Sequence, residues 1–463
     1  MTTRDRNSRH SSSIDRRDIL KLGAAGAGAL AATRFSGRIS AQDATPAGTS
    51  VDAAPAPTNG FATADLQVSA PVTIEYWQYE LESKTALVNE LIPEFMAANP
   101  NITVEHVNFP YDDFRQQVAA AVQAGEGPDV LNVYYGWIPA YVQQQFLTPL
   151  SPDIFPTAQI EAEFYPTVVA ARVADSYYAL PTAVRTLALF CNMDLLNAAG
   201  VQPPTTWEET VSVAQATVKK DGDSFTTVGI TSDIGGQGHN WWREALTRQN
   251  GLVPYSEDNR TLYWTDPLGV EAFNYLTAFQ AELGVTQSGF QTDGSTAFQV
   301  GGAALHVDGS YRVGSLAISA PDLNYSVVPL PAHKTQASFA SFWANTITRN
   351  AAEGDKNIAA MKFIDFLSSE SVQRRWTPRV GELPARQALS ALPEFTENPR
   401  LAPFINSLPF SYATFLVNEA DLRQAVIDAY DQVTLNGLDA ESAIAEAQAK
   451  VQAQLDEYWA TFG

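Results

Sequence analysis

Aromatic residues gather where the hydrophobic pattern says strands end. Trp77 and Tyr79 follow the alternating run Val72, Ile74, Tyr76. Tyr134, Tyr135 and Trp137 follow Asp129-Val130-Leu131-Asn132-Val133. Trp241 and Trp242 follow a Gly-rich turn after Val228–Ile230, and Tyr311 follows Asp308-Gly309-Ser310. In open α/β sheets, ligands bind beyond the carboxyl ends of the strands. A Trp or Tyr face there is flat, apolar and rigid. The C–H faces of a pyranose ring stack on such a surface, while the ring hydroxyls need charged or amide partners. Asp308, Arg185, Glu80 and Asn240 are the candidates, each charged hydrogen bond being worth about 1.5–3 kcal/mol. Trp343, in the aromatic stretch Phe339-Phe342-Trp343, joins the set. Any one of these rings can equally be core, as Trp207, Trp376 and Trp459 are read to be. Recurrence at several separate strand ends is what points to a ligand.

Other chemistries lack their residues. There is no HExxH, and the five histidines (His10, His106, His239, His306, His333) are scattered, so no zinc hydrolase and no metal site is expected. Neither a GxSxG elbow nor a P-loop occurs. Asp221-Gly222-Asp223 opens like a calcium loop but puts Phe225 where an oxygen ligand belongs, and it reads as a polar turn. The single cysteine, Cys191, sits in an apolar stretch as a core thiol and excludes an intramolecular disulfide. No cofactor is implied. A carboxylate pair for glycoside hydrolysis can be drawn from so many acids that their presence decides nothing.

The charge is divided unevenly. The 463 residues hold 29 Lys+Arg against 51 Asp+Glu, a net −22. This argues against nucleic acid, whose phosphates need clustered cations, and against docking on an anionic membrane surface. Residues 1–41 alone carry eight basic and three acidic residues, so the remaining 422 carry −27. Arg16-Arg17 precedes the apolar run Leu22–Ala32, too short to span a bilayer, and a small-residue site ends at Ala41. Basic, apolar, then small is the layout of an export signal cleaved after Ala41, here of the twin-arginine type. Residues 42–70, rich in Ala, Pro and Thr, are expected to be a flexible linker.

From Pro71 onward strand and helix patterns alternate. Ile102–Phe109 alternates as a strand; Leu87, Leu91 and Phe95 recur at helical spacing; a helix spans about Asp112–Ala124. Thr206 and Glu209 are spaced as a capping box. Val228–Ile230, Ala303–Val307 and Tyr325–Val328 read as strands; Ile358–Leu367, Leu422–Val433 and a last stretch through Ile444, Val451 and Leu455 read as helices. Strand–helix–strand order implies a parallel sheet with helices on both faces, an α/β fold.

Three segments carry a resemblance: Tyr178-Ala179-Leu180-Pro181; Leu187–Leu196; and Pro203-Pro204-Thr205-Thr206-Trp207-Glu208-Glu209. With Ala303–Tyr311, Val327–Pro331, Gly381–Arg386 and the closing helices from Leu422, they resemble the central signature of family 1 extracellular solute-binding proteins, the receptors of ATP-driven sugar importers. The likeness runs from about residue 71 to 463. Cys191 replaces the family's usual tyrosine, Tyr311 a frequent tryptophan, and Phe339, Phe342 and Trp343 lie where relatives tend to be glycine-rich.

The resemblance implies a two-lobed periplasmic-binding-protein-like fold, each lobe a mostly parallel sheet flanked by helices, with the ligand cleft between. Residues 71–184 plus 346–395 are expected in lobe one and 187–340 plus 396–463 in lobe two, with hinge crossovers near 183–187, 337–346 and 395. The expected function is capture of a mono- or oligosaccharide by lobe closure, Trp77 and Tyr135 facing Trp241 and Tyr311 across the cleft. Delivery to the membrane permease of an ABC importer and its ATPase would follow. An exported, envelope-associated monomer without enzyme activity is expected. The alternatives are a non-sugar solute (phosphorylated polyol, peptide or cation) and a secreted carbohydrate-active enzyme.

Overall fold

The computed structural model describes residues 60–231 and 238–462. The expected signal, with Arg16, Arg17 and Ala41, lies outside the described residues, as do linker residues 42–59. Residues 60–70, expected to be flexible, are instead seated on the helix Gly354–Leu367. Phe61 is buried, Asp365 accepts from its backbone N–H and from the Thr63 hydroxyl, and Asp355 accepts from Ser69 and Ala70. One buried phenyl ring and two well-placed carboxylates hold a segment whose composition alone does not order it.

The first three strands, Val72–Tyr79, Ile102–Phe109 and Val130–Tyr134, are parallel, as their alternation with helices Glu82–Ala98 and Tyr111–Ala124 requires. Helix Glu82–Ala98 buries Leu87, Val88, Leu91, Ile92 and Phe95, the one-face stripe of a 3.6-residue period. In the second half, Ser224–Ile230 and Ala303–Gly309 are again parallel. Asp221-Gly222-Asp223 is the polar turn expected, Gly222-Asp223 linking Lys219–Asp221 to Ser224–Ile230 in a hairpin. Thr206 caps Trp207–Thr217 by accepting from the Glu209 N–H at 3.2 Å, while Glu209 reaches back to Thr205 rather than to Thr206.

Two long strands join these halves. Ala179–Asn192 and Ser338–Thr348 are buried at every position and pair with each other antiparallel, with a bulge between Trp343 and Ala344. Ser338–Thr348 also flanks Val130–Tyr134, antiparallel. Through Thr186 the first long strand pairs with the second; from Leu187 it pairs with Ala303–Gly309. One sheet therefore runs from Ile102–Phe109 at one edge to Lys219–Asp221 at the other. It is mixed: parallel order holds among the first three strands and between Ser224–Ile230 and Ala303–Gly309, while the two long strands, Tyr325–Val328 and the edge hairpin strand Lys219–Asp221 enter antiparallel. The expected crossovers near 183–187 and 337–346 fall inside these continuous strands.

A glycine contact ties helix Tyr311–Ser319 to helix Glu370–Val380. A Cβ on Gly314 would lie 2.6 Å from the Val380 carbonyl oxygen, and Gly381, at φ +82°, ends the second helix against Gly314 and the Ser310 carbonyl. Glycine inside a helix forfeits about 1 kcal/mol relative to alanine. Forcing a methyl against backbone costs about 1–3 kcal/mol, so the clash wins. Gly314→Ala is expected to lower stability, read as a lower urea midpoint with unchanged slope.

Candidate functional site

Helix Tyr111–Ala124 and the turn Tyr135–Gln143 face the start of helix Glu419–Thr434 and the end of helix Ala440–Phe462 across a cavity of about 820 Å³. Trp137, Tyr141 and Tyr458 supply aromatic surface; Arg115, Gln116, Asn418, Glu419 and Gln454 supply donors and acceptors. Arg115 and Glu419 approach to 3.9 Å across the opening, and the Arg115 guanidinium carbon lies 6.0 Å from the Trp137 ring centre. Gly136 allows the Tyr135–Trp137 turn to reach the opposite wall, since a Cβ there would meet Leu416 at 2.6 Å. Its volume puts the cavity toward the upper end of the roughly 300–1,000 Å³ typical of small-molecule sites.

Of the residues singled out in the sequence, Trp137 lines this cavity. Trp343 packs behind it at 5.3 Å and also touches Tyr79 (4.3 Å), Tyr134 (5.6 Å) and Phe114 (6.1 Å). Tyr134, Tyr135, Trp241 and Trp242 are buried: Tyr135 against Phe342, Trp241 stacked on Phe339, Trp242 on Phe279. Trp77 is half-buried against Phe109, its indole N–H donating to Glu75, and Glu80 is exposed beside it. The expected opposition of Trp77 and Tyr135 to Trp241 and Tyr311 is thus replaced by separate packing contacts. Trp77, Tyr135 and Trp241 each pack on another aromatic ring, while Tyr311 lies against the Arg185 guanidinium. Asn240 is occupied as well, accepting from Arg243, which in turn pairs with Glu244 at 2.6 Å.

The polar candidates form two buried centres. Asp308 accepts from the Tyr311 hydroxyl at 2.6 Å, Arg312 Nε at 2.7 Å and the Gly309 N–H at 2.7 Å, and faces His306 Nε2 at 3.1 Å. Burial would raise its pKa, but Arg312, His306 and Tyr311 outweigh burial and hold the carboxyl well below the usual range. Arg185 donates through Nε to Glu382 at 2.6 Å and through Nη2 to the Tyr79 hydroxyl, and its guanidinium lies 4.8 Å from the Tyr311 ring centre. Trp376 donates to the other Glu382 oxygen at 2.7 Å. Arg185 is therefore a structural cation at the change of strand partners, paired to an acidic neighbour. Tyr79 and Tyr311 meet it from the two sides.

Lys84 adds a second buried cation. Its Nζ donates to Asn132 at 2.6 Å and sits 4.1 Å from the Tyr79 ring centre. Asn132 donates to Asn345, and Asn345 to Thr182, so one polar chain crosses the first helix, two central strands and the first long strand. Burial pushes the Lys84 ammonium down to about 7, with Arg185 adding to the fall and Glu382 opposing it. Sequence reading passed over Lys84 because a lone lysine on an amphipathic helix is ordinarily solvated. It passed over Arg115, Glu419 and Tyr458 because they are far apart in the chain and carry no strand-end signature; the helix that begins with Glu419 is capped by Asn418, whose side chain accepts from the Asp421 N–H.

A model of the bacterial extracellular solute-binding protein family matches residues 80–374. The maltotriose-binding protein of Pyrococcus abyssi is 22% identical over 343 residues, covering 73% of this chain and 71% of that one. Among solved structures, an ABC transporter solute-binding protein of Thermotoga lettingae bound with α-D-tagatose superposes with a TM-score of 0.73 at 20% identity, covering 83% of this chain and 99% of the other. UgpB of Mycobacterium tuberculosis, in complex with glycerophosphocholine, superposes with a TM-score of 0.71 at 20% identity, covering 83% and 99%. These structures share the two-lobed α/β fold.

The depressed Lys84 has a measurable signature. Between about pH 7 and the ordinary 10.5 the unfolded chain holds a proton at Lys84 that the folded chain lacks. Stability should therefore rise with pH across that window, by up to about 1.4 kcal/mol per unit. Lys84→Met should flatten that slope when unfolding free energies are compared from pH 7 to 10.

Proposed function

The chain belongs to the bacterial extracellular solute-binding protein family, and on that premise we propose that it captures a carbohydrate and delivers it to an ABC importer. The observation that supports this reading is the lining of the 820 Å³ cavity, which sets three aromatic rings among amide and charged side chains. That mixture suits a solute with C–H faces and many hydroxyls. The relative from Pyrococcus abyssi, by its name, binds maltotriose.

In this reading the protein is a carrier without catalytic activity. Residues 71–184 with 346–395 form one lobe, 187–340 with 396–463 the other, and the chain bends near 183–187, 337–346 and 395. The ligand stabilises the closed arrangement by the difference in its affinity for the two states. Trp137 and Arg115 contact it from one lobe, Glu419 and Tyr458 from the other. The twin-arginine signal exports the protein to the envelope, where it meets the permease.

Intrinsic tryptophan fluorescence titrated with mono- and oligosaccharides, and with glycerophosphocholine, tests the proposal. A saturable response to a saccharide is expected. A response to glycerophosphocholine alone would overturn the carbohydrate assignment and leave the family untouched. Arg115→Met should weaken saccharide binding by about tenfold or more, the loss of one charged hydrogen bond, without moving the melting temperature of the free protein. Replacing Arg16-Arg17 with Lys-Lys should leave the protein in the cytoplasmic fraction of an expressing cell.

A further inference from the structure

Helix Tyr311–Ser319 and helix Glu370–Val380 meet through bare backbone. A Cβ on Gly314 would lie 2.6 Å from the Val380 carbonyl oxygen, and one on Gly381 would lie 2.9 Å from the Gly314 nitrogen. Among the described residues no hydrogen bond or ion pair joins the two helices. Each is instead tied to its own surroundings. Arg312 donates to Asp308 at 2.7 Å and to Ser295 at 2.6 Å, and the Tyr311 hydroxyl donates to Asp308 at 2.6 Å. In the other helix, Arg375 donates to Glu94 and Arg379 to Glu90, each at 2.7 Å, which fastens it to helix Glu82–Ala98. Parting the two helices therefore breaks no hydrogen bond, and each can move with its own partners as a unit.

Strand register shows on which side they meet. Tyr134 lies opposite Trp343 and Trp343 opposite Ala183, while Gly309 lies opposite Leu187. The carboxyl ends of Val130–Tyr134 and Ala303–Gly309 thus point toward each other from the two sides of residues 183–187. Ligands bind beyond such ends. Helix Tyr311–Ser319 leaves one of them directly after Ser310. Leu383–Pro384, which follows Gly381 and Glu382, pairs with Val184 and Ala183. The glycine contact therefore lies in the gap between the facing strand ends, where widening it moves the two sets of strands apart.

Gly136 makes a similar approach, since a Cβ there would meet Leu416 at 2.6 Å. Its neighbour is the tip of a side chain, which can turn aside. The Val380 carbonyl is helix backbone and cannot.

We propose that the meeting of Gly314 with Val380 and Gly381 is the stop against which the two lobes come to rest on closing. Gly314, which is not a wall of the 820 Å³ cavity, thereby sets the affinity for a solute it does not touch. This rests on the two-lobed closure above, in which helix Tyr311–Ser319 belongs to one lobe and helix Glu370–Val380 to the other. It deepens that reading by naming the residue that limits the motion. Without a side chain at 314 the helices meet at backbone distance. A methyl there holds the lobes apart, and the solute loses contacts that it makes only in the closed state.

Fluorescence titration of the native chain, Gly314→Ala and Gly314→Leu with glucose, maltotriose, arabinotriose and glycerophosphocholine tests this, with small-angle scattering of the same chains. Gly314→Ala should weaken whichever of the four the native chain binds by about tenfold, the fold-change of one forced methyl contact, and Gly314→Leu by more. The scattering radius of Gly314→Leu at saturation should exceed the native one. The stability loss expected of Gly314→Ala should be greater at saturation than without solute, because the solute holds the lobes where the clash lies. A Gly314→Ala chain that is less stable but keeps the native affinity overturns the stop and leaves the carbohydrate reading standing; this variant decides alone if Gly314→Leu does not fold. A native radius for folded Gly314→Leu overturns the stop as well. If the native chain binds none of the four, the free chains decide: a larger radius for Gly314→Leu upholds the stop and equal radii overturn it, while the carbohydrate reading is answered by the native titration.

Discussion

Arg185 and Glu382 can be buried only together. Taking either charge out of water alone would cost several kcal/mol, so the fold must bring the first long strand and the Gly381–Arg386 connection into register. Tyr79 arrives from the first strand to accept from the guanidinium, Tyr311 lies beneath it at the start of its helix, and Trp376 completes the carboxylate. Four separate stretches of chain thus converge on one ion pair. It sits where the first long strand exchanges one partner for another, between Thr186 and Leu187. Lys84 is carried into the same region and gives up part of its basicity chiefly because it is buried, Arg185 adding to the fall and Glu382 opposing it.

The aromatic stack around Trp343 transmits this order to the cavity. Tyr79, held by Arg185, packs on Trp343, and Trp343 backs Trp137, whose ring faces the open space. The cavity wall is thereby anchored to a packed aromatic interior. Gly136 and Leu416 bring the opposite wall within contact distance of that surface.

Elements whose burial alternates were legible in the sequence. Val72–Tyr79, Ile102–Phe109 and the helix between them announce themselves by period, and the Thr206 cap by its spacing. Ala179–Asn192 and Ser338–Thr348 are buried at every position, so neither has a period to betray its direction, and their antiparallel entry was not readable. Of the strand-end aromatics singled out in the sequence, only Trp137 lines the cavity. Whether a tryptophan faces a ligand or another ring depends on neighbours such as Phe342, Phe339 and Phe279, which arrive from distant parts of the chain. Arg115 and Glu419 meet for the same reason, and no local pattern could have paired them.

The second long strand occupies the middle of the sheet but comes from the last third of the chain. A nascent polypeptide extruded through residue 337 has already produced both strands that must flank it, Val130–Tyr134 and Ala179–Asn192, and their facing edges stay bare until Ser338–Thr348 emerges. Bare apolar edges are templates for another molecule, and pairings this distant in sequence form slowly. During synthesis the yield of native protein is therefore set by how well that gap is shielded, as much as by the stability of the finished sheet.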